Sequence, residues 1–151
     1  MVEKSEKGGI YGEMNQTNIE QKGIKGEQWV SKNLRELSCF VQNRGQHRFP
    51  FDLLVSKNGK EFGVQVKYKE PRIHYPDTGF EKWRWEMYKK WQNENEKKML
   101  ILFTDNSKKI YGNWLDNLGI EKGHGNCYNK ENNCEMIYWW KKKLKDFREL
   151  I

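Results

Sequence analysis

Proline, cysteine and long apolar stretches are all scarce in this chain. Its three prolines are Pro50, Pro71 and Pro76. Proline lacks a backbone donor, so each marks a place where a strand ladder or a helix ends. The cysteines, Cys39, Cys127 and Cys134, are odd in number and lack framework spacing. That excludes the small disulfide-stapled secreted class and favours a reducing, cytoplasmic compartment. No apolar run approaches the ~20 residues that span a bilayer, and the opening MVEKSEKGG does not read as a secretory signal. No membrane partner is expected. Internal repeats and low-complexity tracts are also missing.

What the chain has in plenty is aromatic rings and positive charge. Seven each of Trp, Tyr and Phe make up 14% of 151 residues, so rings must supply much of the core. Charged residues are 32% and the net charge is +7, a balance that favours a polyanionic partner. A chain of 151 residues suits one domain with a real hydrophobic core. Residues 1–16 are polar and glycine-containing, and a flexible arm is expected there, with a single domain over 17–151.

Hydrophobic spacing predicts a helix over Thr17–Leu37, with Asn18 as cap and Ile24, Val30, Leu34 and Leu37 as its apolar stripe. Glu27 lies on the flank of that stripe. Cys39–Gln42 reads as a first strand, antiparallel to a hairpin that follows. Pro71–Phe80 reads as a loop. In the next stretch Trp83, Met87 and Trp91 recur at helical spacing, with Tyr88 beside them and with Arg84, Lys89 and Lys90 turned to solvent or a ligand. Met99–Thr104 is a continuous apolar run that suits a strand buried on both faces, and Lys109–Leu115 suits another. Gly119–Asn133 is a polar loop, and Met136–Trp140 is a last strand or a helix start. Residues 141–151 read as a basic C-terminal helix. The order implies an α/β fold, a mixed central β-sheet flanked by helices.

The chain is organised around Phe51–Lys67, FDLLVSKNGKEFGVQVK. Two apolar runs flank Asn58-Gly59, a strong hairpin signal. A two-residue turn there sets Lys57 opposite Lys60 and Asp52 opposite Gln65, with Cβ atoms roughly 4.5–5.5 Å apart. Alternation brings Lys67 to the face of Gln65 and turns Phe62, Val64 and Val66 to the core. Pro50 falls opposite Lys67, where the ladder ends. One face is apolar; the other gathers an acid, an amide and a lysine. That arrangement suits a metal site for phosphodiester chemistry.

With Glu27 supplied from the helix after KGIKG, this combination resembles the PD-(D/E)xK nuclease superfamily, and FD-x12-QVK is similar to its Gln-x-Lys variant. KGIKGEQWVSKNL, FDLLV and VQVK together resemble archaeal Holliday-junction resolvases. Small size and the Gln-x-Lys also resemble homing endonucleases encoded in group I introns. The resemblance implies a restriction-endonuclease-like core and four catalytic residues, Asp52, Gln65, Lys67 and Glu27. Asp52 is implied as a metal ligand, Gln65 as a ligand through its carbonyl oxygen or a bound water, and Val66 through its backbone carbonyl. Glu27 completes the site from the helix. Lys67 would orient the attacking water or stabilise charge on the phosphate. The implied cofactor is Mg²⁺, with Mn²⁺ as the alternative; Mg²⁺ takes hard oxygen ligands at about 2.0–2.1 Å. Gln65 in place of an acid removes one negative charge, which weakens metal binding without DNA. Arg44, His47, Arg48, Lys69, Arg72, His74 and Arg84 are the expected DNA contacts, with Lys141–Lys143 as further phosphate ligands.

The activity read from these residues is site-specific, metal-dependent cleavage of double-stranded DNA, with an intron-encoded homing endonuclease as the preferred role. A Holliday-junction resolvase or restriction-type nuclease is the alternative. A non-catalytic DNA-binding module is the reading of another class, opposed by the joint presence of Asp52, Gln65 and Lys67. A duplex has two antiparallel strands, so a homo-oligomer, dimer or tetramer, is expected. Trp139 and Trp140 are weighed both as interface and as core. His124, Cys127 and Cys134, with Cys39 as a distant fourth ligand, match no standard zinc knuckle and read as part of an ordinary polar loop.

Overall fold

The computed structural model of the chain describes residues 11–43, 51–69, 77–119, 127–129 and 133–151. Its elements run α1 (Tyr11–Glu36), β1 (Phe40–Asn43), β2 (Leu53–Lys57), β3 (Lys60–Tyr68), β4 (Asp77–Glu81), α2 (Lys82–Asn95), β5 (Lys98–Thr104), β6 (Ile110–Trp114), β7 (Cys127–Asn129), β8 (Cys134–Trp140) and β9 (Lys145–Asp146). Among the described residues, no helix is long and apolar enough to cross a membrane.

Asn58 and Gly59 take φ of 53° and 81°, as a type I′ turn requires. The strands they join pair in the expected register, Lys57 opposite Lys60 and Leu53 opposite Val64. β1 adds antiparallel to β2. On the other side β5 lies parallel to β3, and a parallel neighbour needs a crossover. Here the connection passes through β4 and α2. The result is a mixed six-stranded sheet of order β1-β2-β3-β5-β6-β9, with a separate three-stranded sheet, β4-β8-β7.

Side chains alternate across the large sheet and feed two cores. Val64, Val66, Leu100 and Leu102 face α1 and pack with Val30 and Leu34. Met99, Ile101 and Phe103 face α2 and β4 and pack with Phe51, Phe80, Tyr88 and Trp139. β5 is therefore buried on both faces, as its unbroken apolar run predicts.

Several expectations need correction. α1 begins at Tyr11, within the stretch read as an arm. Ile24 is 54% exposed; Gly26 makes the contact instead, and two helix positions separate side chains by about 200°. α2 buries Tyr88 and Gln92, while Trp83 is 48% exposed. Residues 77–81 form β4 rather than a loop, because they pair with β8 from Asp77–Trp140 to Glu81–Met136. The C-terminal segment is not a continuous α-helix but two short 3-10 turns, Lys141–Lys143 and Phe147–Glu149, on either side of β9. Asp146 accepts the backbone N–H of Arg148 and grips its guanidinium, β9 pairs with β6, and Phe147 is drawn into the core facing α1. Trp139 is fully buried, its Nε1 donating to the Gly119 carbonyl at 2.9 Å.

α1 approaches the sheet most closely at Gly26, where an added Cβ would stand 3.3 Å from Thr104 Cγ2 and 3.7 Å from Tyr68 Cβ. At Gly23, one turn earlier, an added Cβ meets nothing within 4 Å. Gly26→Leu should therefore lower stability by ~1–3 kcal/mol through overpacking. Gly23→Ala should raise it by roughly 0.5–1 kcal/mol through helix propensity. Urea midpoints at unchanged m-value check both signs.

Candidate active site

Asp52, the residue before β2, is held by the strand across from it. Its Oδ2 accepts the Val66 N–H at 3.0 Å and the Gln65 side-chain amide at 2.8 Å. The same Gln65 Nε2 donates to the Val66 carbonyl at 3.2 Å. The amide NH₂ thus lies between a carboxylate oxygen and a carbonyl oxygen. Gln65 is only 8% exposed, so these contacts fix the side chain. Asp52 and Gln65 meet as the hairpin register predicts.

Lys67 follows on the same face, half-buried where β4 and α2 pack beside it. Lys67 Nζ rests 5.2 Å from the Phe80 ring centre and 5.9 Å from that of Tyr88. Burial, and then the nearby Arg84, bring its pKa down to about 8, against the opposing pull of Glu81 and Asp52. Arg84 pairs with Glu81 at 3.4 Å. Burial pushes the Glu81 carboxyl up, but a backbone hydrogen bond and the Lys67, Arg84 and Lys69 charges more than offset it, leaving it lowered. Tyr88 is wholly buried beside this pair, and burial raises its pKa. Among the described residues, its hydroxyl is the buried side-chain polar atom left without a hydrogen bond.

Glu27 comes from α1, placed over the strand ends by the Gly26 contact. It shares an open cleft of about 630 Å³ with Asp52, Gln65, Lys67, Glu81 and Arg84. Burial, and then the charge of Asp52, push its carboxyl up to about 7. Asp52 is raised as well, by burial, against the lowering effect of the Val66 N–H, Lys67 and Arg84.

Burial is the first cause of both shifts, and the Asp52 charge adds to the effect at Glu27. The oxygens available nearby belong to Asp52, Glu27, the Val66 carbonyl and the Gln65 amide. These hard oxygen donors suit Mg²⁺ or Mn²⁺. Gln65 presents Nε2 towards Asp52, so ligation through its carbonyl oxygen requires the amide to turn over. Among the described residues, no three His, Cys, Asp or Glu side chains gather as a metal cluster. Cys39 is a buried free thiol and Cys134 a half-buried one; His124 lies outside the described residues.

Of the expected DNA contacts, Lys69 and Arg84 line the cleft. Arg44, His47, Arg48, Arg72 and His74 lie outside the described residues. Lys89 is occupied with Asp116 at 3.3 Å, and Lys141 lies 5.2 Å from the Tyr111 ring centre. Sequence reasoning missed Glu81, Lys22 and Tyr68 as residues of the cleft. It noted Tyr88 without a role. Only the i, i+3 pairing of Glu81 with Arg84 carried a local signal for any of these.

Among solved structures, the chain is similar to Hjc, a Holliday junction resolvase from the archaeal hyperthermophile Archaeoglobus fulgidus. The TM-score is 0.59 at 9% identity, over 81% of this chain and 86% of that one. No family model and no curated protein matches the chain. At that identity the likeness is one of fold: a mixed sheet with two helices, of the restriction-endonuclease-like class.

The Glu27 pKa has a consequence for the metal-free protein. Unfolded, the group titrates near 4.5; folded, near 7. Between those values the folded state holds the extra proton, so stability falls as pH rises through the window. Glu27→Gln lacks that slope. Above the window it should exceed wild type by ~1 kcal/mol relative to their difference below it, a figure reduced for solvent screening at a half-exposed group. Urea unfolding with chelator at about pH 4 and about pH 8 measures the difference, and parallel behaviour of the two proteins would contradict it.

Proposed function

We propose that this chain is a divalent-metal-dependent DNA endonuclease of the junction-resolving type, cutting phosphodiester bonds to leave 5′-phosphate and 3′-hydroxyl ends. The observation that carries the reading is the meeting of Asp52, Gln65, Lys67 and Glu27 in one open cleft on a fold similar to a Holliday junction resolvase. That structural neighbour supports a resolving role above the homing role first preferred. A restriction-type role has no observation in its favour.

Asp52, Glu27, the Val66 carbonyl and the turned Gln65 amide would hold Mg²⁺ or Mn²⁺, which when bound supplies an activated water and neutralises developing charge. Lys67 emerges from a bed of rings with its pKa brought down to about 8. It is positioned to hold charge against a phosphate oxygen and to exchange a proton at little cost. Arg84 sits on the cleft wall as a second cation. The buried Tyr88 hydroxyl lies beside it. Lys69 and Lys22 extend positive charge along the rim, where a DNA backbone would run.

One cleft cuts one strand, so resolution needs a symmetric pair. β1 is an edge of the large sheet, and Phe40 on it is 64% exposed. A second copy set against that edge is the proposed dimer. Light scattering of wild type and Phe40→Glu tests it: the variant should fall towards monomer, and a monomeric wild type would end the dimer assignment.

Asp52→Asn separates binding from cutting. It keeps an acceptor for the Val66 N–H and removes the charge that holds the metal, so the fold and DNA binding should persist. Cleavage of a four-way junction should drop by ~10²-fold or more, the scale of losing one preorganised electrostatic group. Lys67→Ala should lose most cleavage as well, with some loss of binding. Normal cutting by Asp52→Asn, measured beside binding on the same junction, would place the chemistry elsewhere.

A further inference from the structure

A second cavity lies across α1 from the cleft. Residues 22, 23 and 27 of α1 border the cleft, whereas residues 25, 29 and 32 border this cavity of about 410 Å³. The end of β3 and the turn after β5 close it, and the Tyr68 side chain is common to both spaces. A volume of that size accepts a small ligand, within the usual range of about 300–1,000 Å³.

The cavity is lined by three lysines and one carboxylate, so its wall is net positive. The ammoniums of Lys32 and Lys108 lie 5.6 Å and 5.5 Å from the centre of one indole, that of Trp29. Trp29 is pinned in place because its Nε1 donates to the Lys108 carbonyl at 2.8 Å. Two like charges drawn to one ring repel each other, and the ring quadrupole offsets only part of that. Lys25 adds a third ammonium to the wall. The acid in the wall, Asp105, is already engaged, its Oδ1 accepting the N–H and the hydroxyl of Ser107. The cavity is thus positive, floored by Gly26 and walled by aromatic rings, with the side-chain amides of Gln28 and Asn106 at its edge.

We propose that this cavity binds one unpaired nucleotide, with its phosphate between Lys25, Lys32 and Lys108 and its base against Tyr68. Aromatic faces accept any base, and the charge supplies the phosphate contact. A branched or frayed DNA can place an unstacked nucleotide there, whereas a continuous duplex cannot. The cavity thereby favours branched substrates in the neighbouring cleft. This deepens the nuclease reading and rests on it for the source of the nucleotide; a free nucleotide has the same chemistry, so the test uses both.

Full-length ¹⁵N-labelled protein is titrated with thymidine monophosphate, thymidine and inorganic phosphate. Wild type and the Lys32→Gln/Lys108→Gln double variant are then compared for binding of a four-way junction and of a linear duplex. Thymidine monophosphate should move the Trp29 indole and Gly26 amide signals and bind more tightly than thymidine or phosphate. The double variant should lose that response, and, because a nucleotide whose phosphate is not held also leaves Tyr68, its preference for the junction over the duplex should fall about tenfold, the scale of one lost stacked base. Signals that stay still, phosphate binding as tightly as the nucleotide, or an unchanged junction preference would each overturn the inference. The nuclease reading fails separately. A protein that binds the nucleotide here, yet cuts a junction equally well as wild type and as Asp52→Asn, keeps this cavity and loses that cleft.

Discussion

A single carboxylate oxygen holds one end of the large sheet together. Asp52 Oδ2 takes the backbone N–H of Val66 and the side-chain amide of Gln65, tying the start of β2 to the end of β3 beyond their ladder. An unpaired acid buried there would be costly; two donors, with Lys67 and Arg84 nearby, make it tolerable. The rest of the cleft is set relative to that knot. Gly26 seats α1 against Tyr68 and Thr104, which brings Glu27 towards Asp52. β4 and α2 bring Phe80 and Tyr88 under Lys67.

How much of this was legible in the sequence depends on the range of the forces. The hairpin was legible because turn chemistry and strand alternation act over a few residues, and they sufficed to bring Asp52 to Gln65. β5 was legible because a strand buried on both faces has no polar position to spare. The helical face of α2 was legible in part, since Met87 and Trp91 pack against the second core while Trp83 is exposed. The Trp83, Met87, Trp91 spacing is regular, yet what orients the helix is Tyr88 in the core and Gln92, whose Oε1 accepts the Met99 N–H at 2.9 Å. Trp85, with Nε1 on the Leu118 carbonyl at 2.7 Å, completes that attachment.

The C-terminal segment failed for the same reason. Its lysines and leucines have helix propensity, but an open β6 edge and a vacancy for Phe147 in the core decide the outcome. In the cleft, the cross-strand half was readable and the half built by β4 and α2 was not. Glu81 and Tyr88 reach it only because β4 pairs with β8 from the far end of the chain. Gln65 illustrates how a local departure and a tertiary consequence join. A neutral amide in that position donates to both Asp52 and the Val66 carbonyl.

The parallel neighbour of β3 carries a consequence for biosynthesis. A chain made from its N-terminus releases Glu27, Asp52, Gln65 and Lys67 before β5 exists, and β5 is what covers the inner edge of β3. A nascent or truncated chain ending soon after Tyr68 therefore bears the acids and the lysine without the ring bed or the second core. What it presents instead is an apolar strand edge, open to wrong pairing and to chaperones. Assembly of the cleft waits on translation through β8, whose pairing with β4 seats Glu81 and Tyr88, and on closure of the β4–α2 crossover, the non-local step that sets the pace in such topologies. The order of the strands thus delays completion of the cleft until most of the chain has been made.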